Sequence, residues 1–262
     1  MSKCKVYLDW EYKIEPSDLH EWENSSIEDC DLIISVNRIT KFNNDKRKAL
    51  WLYEPRAICP EIYNIVEIRN LQYEIIATHV SNLKSKNNCM IIPPCFPSWI
   101  SREDSSIYEK SKNLSMIASS KVMCDGHRYR QEVATQLEDI LDLFGFGRSR
   151  SIENKISGLK NYRFSVAMEN SSVSTYYTEK IIDCFLTGTI PIYWGCPSIG
   201  RVFDSEGIID LKWFIKNYKD FNYEAEYNSR QKAISNNFQK ALEMNLKSVD
   251  GINEIVKKLN TL

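Results

Sequence analysis

Short apolar runs alternate with amphipathic stretches along the whole 262-residue chain. In the first half, runs at 5–8, 31–36, 49–53, 74–79 and 90–92 are each bounded by polar or turn residues, the pattern of buried strands in a parallel sheet. Between them, the stretch 60–69 (PEIYNIVEIR) opens on Pro60 and carries Ile62, Ile65, Val66 and Ile68 near helical spacing, which predicts a helix. Pro93, Pro94 and Pro97 then interrupt regular structure, and 98–112 is polar and charged. The second half resumes with strands predicted at 114–119, 142–145, 163–169, 190–194 and 208–211. Helices are predicted at 127–141, 152–160 and 178–186 and through the chain after 211. Strand–helix alternation twice over predicts an α/β protein of two Rossmann-like domains facing each other across a cleft, with ligands beyond the carboxyl ends of the strands. The expected division is 1–100, a linker at 101–112, and 113–262.

Charge narrows the partners. Lys plus Arg number 34 and Asp plus Glu 35, a formal charge of −1, so the basic footprint that nucleic acid demands is missing. No apolar run approaches the ~20 residues of a membrane helix, and none at the amino end resembles a signal-peptide core. The eight cysteines form no CxxC pair, and with three histidines no zinc-type spacing arises. These features lead us to expect reduced thiols, a cytoplasmic protein, no transmembrane segment and no metal site.

The stretch 162–197 carries the chemistry. A predicted strand ends in Glu169-Asn170-Ser171, placing polar groups at its carboxyl end, and a polar loop leads to a helix start at Thr178-Glu179-Lys180. Free N–H groups at a helix start favour an anion, and Lys180 adds a full positive charge. The sequence has neither GxGxxG nor GxxxxGK[ST], so the usual dinucleotide loop and the P-loop are excluded. Taken singly, Glu169-Asn170 reads equally as a turn and Thr178-Glu179-Lys180 as a solvated helix start.

Taken together, Phe164, Glu169, Asn170, Ser171, Tyr176, Thr178, Glu179 and Lys180, then Gly188, Thr189, Pro191 and Gly195, follow without gaps a pattern similar to F-x-x-x-x-E-N-S, Y-x-T-E-K and G-T-[IV]-P. This run resembles the donor-binding motif of glycosyltransferase family 10, the α1,3-fucosyltransferases, and is closer to its short bacterial and viral members. Upstream, Gly126-His127-Arg128-Tyr129-Arg130 resembles the family's Arg-bearing helix start. The distance to Leu137 favours Arg130 as the matching residue, with Arg128 as the alternative. The stretch 52–60 (LYEPRAICP) resembles the loop holding the catalytic carboxylate, which maps to Glu54.

The resemblance implies a GT-B type fold and an inverting, metal-independent transfer of L-fucose, or a similar sugar, from GDP-fucose to a hydroxyl of a glycan or glycoconjugate acceptor. No cofactor is implied. Glu54 is then the general base, and Arg130 or Arg128 acts with Lys180 on the leaving diphosphate. Asn170 lies at the phosphates, Tyr176 and Glu179 at ribose or sugar hydroxyls, and Glu169, Ser171 and Thr178 complete the motif. Two rival readings are a relative using another nucleotide sugar and a non-catalytic glycan-binding protein. His79 and His127 read as bystanders, and Tyr193 and Trp194 as core or cleft wall.

Overall fold

The computed structural model describes residues 2–262 except 12, 13, 15, 17, 19, 43, 70, 81–82, 84–87, 93–96, 146–149 and 245–247. The expected interruption at Pro93 and Pro94 lies outside the described residues. The chain forms two compact units, residues 1–96 with 246–262, and residues 97–245.

The first unit is built on an all-parallel sheet in the order β2-β1-β3-β4-β5-β6: β1 (Cys4–Asp9), β2 (Trp22–Asn24), β3 (Leu32–Val36), β4 (Arg47–Leu52), β5 (Ile75–Thr78) and β6 (Cys89–Ile91). Side chains alternate between its faces, as the two-residue period of a strand requires. Leu50 and Leu52 pack toward helix α1 (Pro60–Ile68) with Tyr63 and Val66. Ala49, Trp51, Ile34 and Val36 face the other way, onto Ile252, Ile255, Val256 and Leu259. Those four residues are one stripe of the last helix, α5 (Ser248–Leu259), and Arg47 donates from Nη2 to Leu259 O at 2.9 Å. The final helix therefore completes the core of the first unit, whereas the sequence division grouped it with 113–262.

The second unit has the parallel order β11-β10-β9-β7-β8: β7 (Lys112–Ile117), β8 (Asp142–Phe144), β9 (Tyr162–Met168), β10 (Ile190–Trp194) and β11 (Ile209–Asp210). Leu114, Met116, Phe164, Val166, Ile190 and Ile192 pack on one face against Val133 and Ala134 of helix α2 (Asp125–Gln136), Leu137 just after it, and Phe214 of helix α4 (Leu211–Asn217). Ala167 and Tyr193 on the other face meet Ile181, Ile182 and Phe185 of helix α3 (Glu179–Phe185). Numbered within this unit the strand order is 2-1-3-4-5, so chain direction across the sheet reverses between β7 and β9, the crevice where open α/β sheets take ligands.

Several elements differ from expectation. The helix expected at 127–141 starts at Asp125 and ends at Gln136. That expected at 152–160 is one 3-10 turn, Lys155–Gly158, capped by Asn154, whose Oδ1 accepts from Ser157 N. The strand expected at 208–211 shrinks because Asp210 caps α4, accepting from Trp213 N at 2.8 Å. The stretch 101–112, expected as a linker, packs into the second unit. There the Lys110 ammonium donates to Thr187 O, Thr189 Oγ1 and Lys160 O.

Candidate functional site

The carboxyl end of β9 meets the start of α2 at very short range. A Cβ on Gly126 would lie 2.3 Å from Asn170 O, so only glycine lets the first turn of α2 approach this backbone. Cys124 Sγ donates to the same carbonyl at 3.4 Å. From the next turn, Arg130 donates from Nη2 to Met168 O at 2.7 Å and to Asn170 Oδ1 at 3.1 Å. Arg130 is buried; burial draws its pKa down while Glu169 pulls it up, and a guanidinium stays charged in either case. Arg128 points away, exposed and paired with Asp125. The structure thus brings Arg130 to Asn170 and leaves Arg128 outside. Tyr176 is fully buried and interacts electrostatically with Arg130; it offers no surface to a ligand in this structure.

Glu169 anchors the loop that follows. Its carboxylate accepts from Thr178 N at 2.9 Å and from Thr178 Oγ1 at 2.7 Å, so the residue capping α3 is tied to the end of β9. The Glu169 side chain passes directly over Gly195, where a Cβ would lie 2.4 Å from its Cγ. Burial raises the Glu169 pKa against the pull of Lys180, whose Nζ is 3.6 Å away. Lys180 Nζ also donates to Thr178 Oγ1 at 3.0 Å and lies 3.4 Å from Glu179 Oε1. Ser171, three residues after the end of β9, is half-buried.

Lys155 is the residue that sequence reasoning missed. Its ammonium lies 3.1 Å from Glu179 Oε1 and 3.0 Å from Asp183 Oδ2, bridging two carboxylates four residues apart on α3. Burial pushes the Glu179 carboxyl up, yet Lys155 and Lys180 outweigh it and hold it at about 2. Like charges at that spacing repel, so a buried Glu-x-x-x-Asp pair is a signal that a cation must intervene. The other Asp183 oxygen accepts from Ser98 Oγ and Trp99 N.

In the first unit, Glu54 follows β4 at its carboxyl end. Asn37 Oδ1 accepts from both Tyr53 N and Glu54 N, at 2.8 and 3.0 Å, and Tyr63 Oη donates to Glu54 O at 2.9 Å. The backbone carrying this half-buried carboxylate is therefore fixed from both sides.

Residues 107–244 match the sequence model of the C-terminal region of glycosyltransferase family 10 (fucosyltransferase), more than half of the chain. The chain belongs to glycosyltransferase family 10. Arg130, Lys155, Asn170 and Lys180 lie inside the family match, and Glu54 lies outside it. This family 10 chain is 35% identical over 77 residues, 29% of its length, to the alpha-(1,3)-fucosyltransferase FucT of Helicobacter pylori, and the match spans 15% of that relative. Among solved structures it is similar to an alpha1,3-fucosyltransferase, with TM-score 0.54 and 16% identity over 93% of this chain and 81% of the other. A structure of alpha1,3-fucosyltransferase with GDP-fucose gives TM-score 0.52 at 16% identity, covering 93% and 82%. These likenesses extend the GT-B type fold to both α/β units.

Proposed function

We propose that this family 10 chain transfers L-fucose from GDP-fucose to a hydroxyl of a glycan or glycoconjugate acceptor, with inversion at the sugar carbon. The observation that carries the reading lies at the carboxyl end of β9, beside the reversal of strand order, where Arg130 holds the Asn170 side chain and Lys180 lies 3.6 Å from the adjacent Glu169. The similar solved structure with GDP-fucose supports the choice of donor. In this reading Arg130 and Lys180 stabilise the charge that grows on the diphosphate as the sugar–oxygen bond breaks. With two cationic side chains for that task, no metal ion is required. Glu179, fixed by Lys155, orients ribose or sugar hydroxyls. Glu54 takes the proton of the attacking acceptor hydroxyl as general base. A cytoplasmic setting is part of this reading; seven of the described cysteines are free thiols, and no helix among the described residues is long and apolar enough to cross a membrane.

Thermal melting with a nucleotide panel tests the donor. GDP and GDP-fucose are expected to raise Tm in the presence of excess chelator, by about 2.7 kcal/mol of added stability at one hundred times Kd. Slow release of fucose from GDP-fucose, which needs no known acceptor, is the expected activity. Stabilisation by UDP but not GDP would overturn the proposed donor.

A further inference from the structure

His127 holds one end of a chain of hydrogen bonds whose direction is fully determined. Arg130 Nη2 lies 3.1 Å from the Asn170 side-chain atom Oδ1. A guanidinium can only donate, so that atom must be the amide oxygen rather than the nitrogen. The same oxygen lies 3.1 Å from His127 Nε2, which must therefore carry a proton. At the other side of the ring, Met123 N lies 3.3 Å from Nδ1; a backbone N–H also only donates, so Nδ1 must be bare. Both ends thus select one neutral tautomer. Its surroundings agree: burial first, then the charges of Arg130 on the same helix, Lys180 on α3 and Lys121 before α2, lower the His127 pKa, with the Asn170 hydrogen bond pulling the other way. His127 and Arg130 are three residues apart, on one face of α2, which is why both reach the same oxygen.

The consequence falls on Asn170. Its oxygen accepts two donors, while its Nδ2 makes no hydrogen bond among the described residues. An asparagine free to rotate could turn either oxygen or N–H toward an anion, and the oxygen would repel it. We propose that His127 is a positioning residue of the donor site: together with Arg130 it pins the Asn170 oxygen inward, so that the Nδ2 amide is presented as a hydrogen-bond donor to a phosphate oxygen of the nucleotide sugar. This inference rests on the donor reading above and adds a residue outside the motif that defines it.

Two measurements test it. Nitrogen-15 spectra of histidine-labelled protein, recorded without ligand, are expected to show His127 with Nδ1 unprotonated and Nε2 protonated at neutral pH, titrating below the ordinary histidine range. GDP titration and donor kinetics of His127→Leu and His127→Gln then read the effect on the site. His127→Leu is expected to weaken GDP binding about tenfold, the scale of one lost hydrogen bond to a buried polar group. The loss is expected in the donor KM, with kcat changed little. His127→Gln, which can still donate, is expected to recover most of it. An Nδ1-protonated or doubly protonated ring, wild-type GDP affinity in His127→Leu, or equal losses in both variants would each overturn the proposal. Wild-type protein that binds no GDP would overturn the donor reading itself, and the ligand-free spectrum then judges the pinning of Asn170 alone. That spectrum needs no variant, so it decides even where His127→Leu does not fold.

Discussion

Lys180 Nζ is divided among Thr178 Oγ1, Glu179 and Glu169 at 3.0 to 3.6 Å, and none of the three holds it alone. A diphosphate offers stronger, charge-assisted partners. Lys180→Ala is therefore expected to raise the GDP Kd about ten- to a hundredfold, with Lys180→Arg retaining part of the affinity, as read by calorimetric titration. Arg128→Ala is the contrasting case. Its guanidinium is exposed and paired with the exposed Asp125, a kind of surface pair worth about 0–1 kcal/mol. GDP affinity in Arg128→Ala is expected to match the wild type, and a large loss there would return the diphosphate contact to the alternative arginine. Glu54 calls for a different readout, because a general base serves the acceptor face. Glu54→Gln should leave GDP binding nearly unchanged while turnover falls by roughly 10²–10⁴-fold. Glu61, in the first turn of α1, is the control, and Glu61→Gln should be close to neutral. Equal damage from both substitutions would point to folding rather than chemistry.

At the scale of elements, the site depends on how closely α2 docks on the end of β9. Gly126→Ala would place a methyl group against the Asn170 carbonyl, which as backbone cannot swing aside. The helix would have to shift, at a cost of about 1–3 kcal/mol or more, carrying Arg130 and His127 with it. Tm and GDP affinity are expected to fall together; an unchanged melt with unchanged binding would mean that the approach is looser than the backbone geometry requires. This docking also shows what the chain discloses in advance. The strand at 190–194 is legible to the residue, because IPIYW is a continuous apolar run between a Gly-Thr turn and Gly195. Strand β2 is not, since Trp22-Glu23-Asn24 becomes a strand only by pairing with β1. The apolar stripe of α5 can be read as a helix face, but the pattern does not say which sheet it covers. Arg130, Asn170 and Lys180 stand out as candidates in the sequence through their spacing in a family-like pattern. His127 and Lys155 do not, because their partners lie 43 and 24 residues away and meet them only through the fold.

At the scale of the molecule, candidate site residues follow the carboxyl ends of strands in each sheet, Glu54 after β4 in the first unit and Asn170 after β9 in the second. Of the three histidines, His79 follows β5 in the first unit and is 2% exposed. Burial lowers its pKa from 6.5 to about 4, against the upward pull of a hydrogen bond with the Leu52 backbone. At His79 the native state therefore holds fewer protons than the unfolded chain between those two values, so this side chain makes stability rise with pH across that window, opposite in sign to Glu169 and Asp183, whose carboxyls burial raises. Its contribution is complete above pH 6.5, declines as pH falls, and is lost as pH passes below about 4. The total is about 3 kcal/mol, because each tenfold change in proton affinity is worth about 1.4 kcal/mol. His127, also lowered, acts with the same sign. Denaturant unfolding between pH 6.5 and 5, above the range where ordinary carboxylates titrate, should show this decline. In His79→Gln the protein is expected to be less stable at pH 7, yet the slope of stability against pH in that interval should be clearly flatter. Parallel slopes in the two proteins would place the acid sensitivity on groups other than His79.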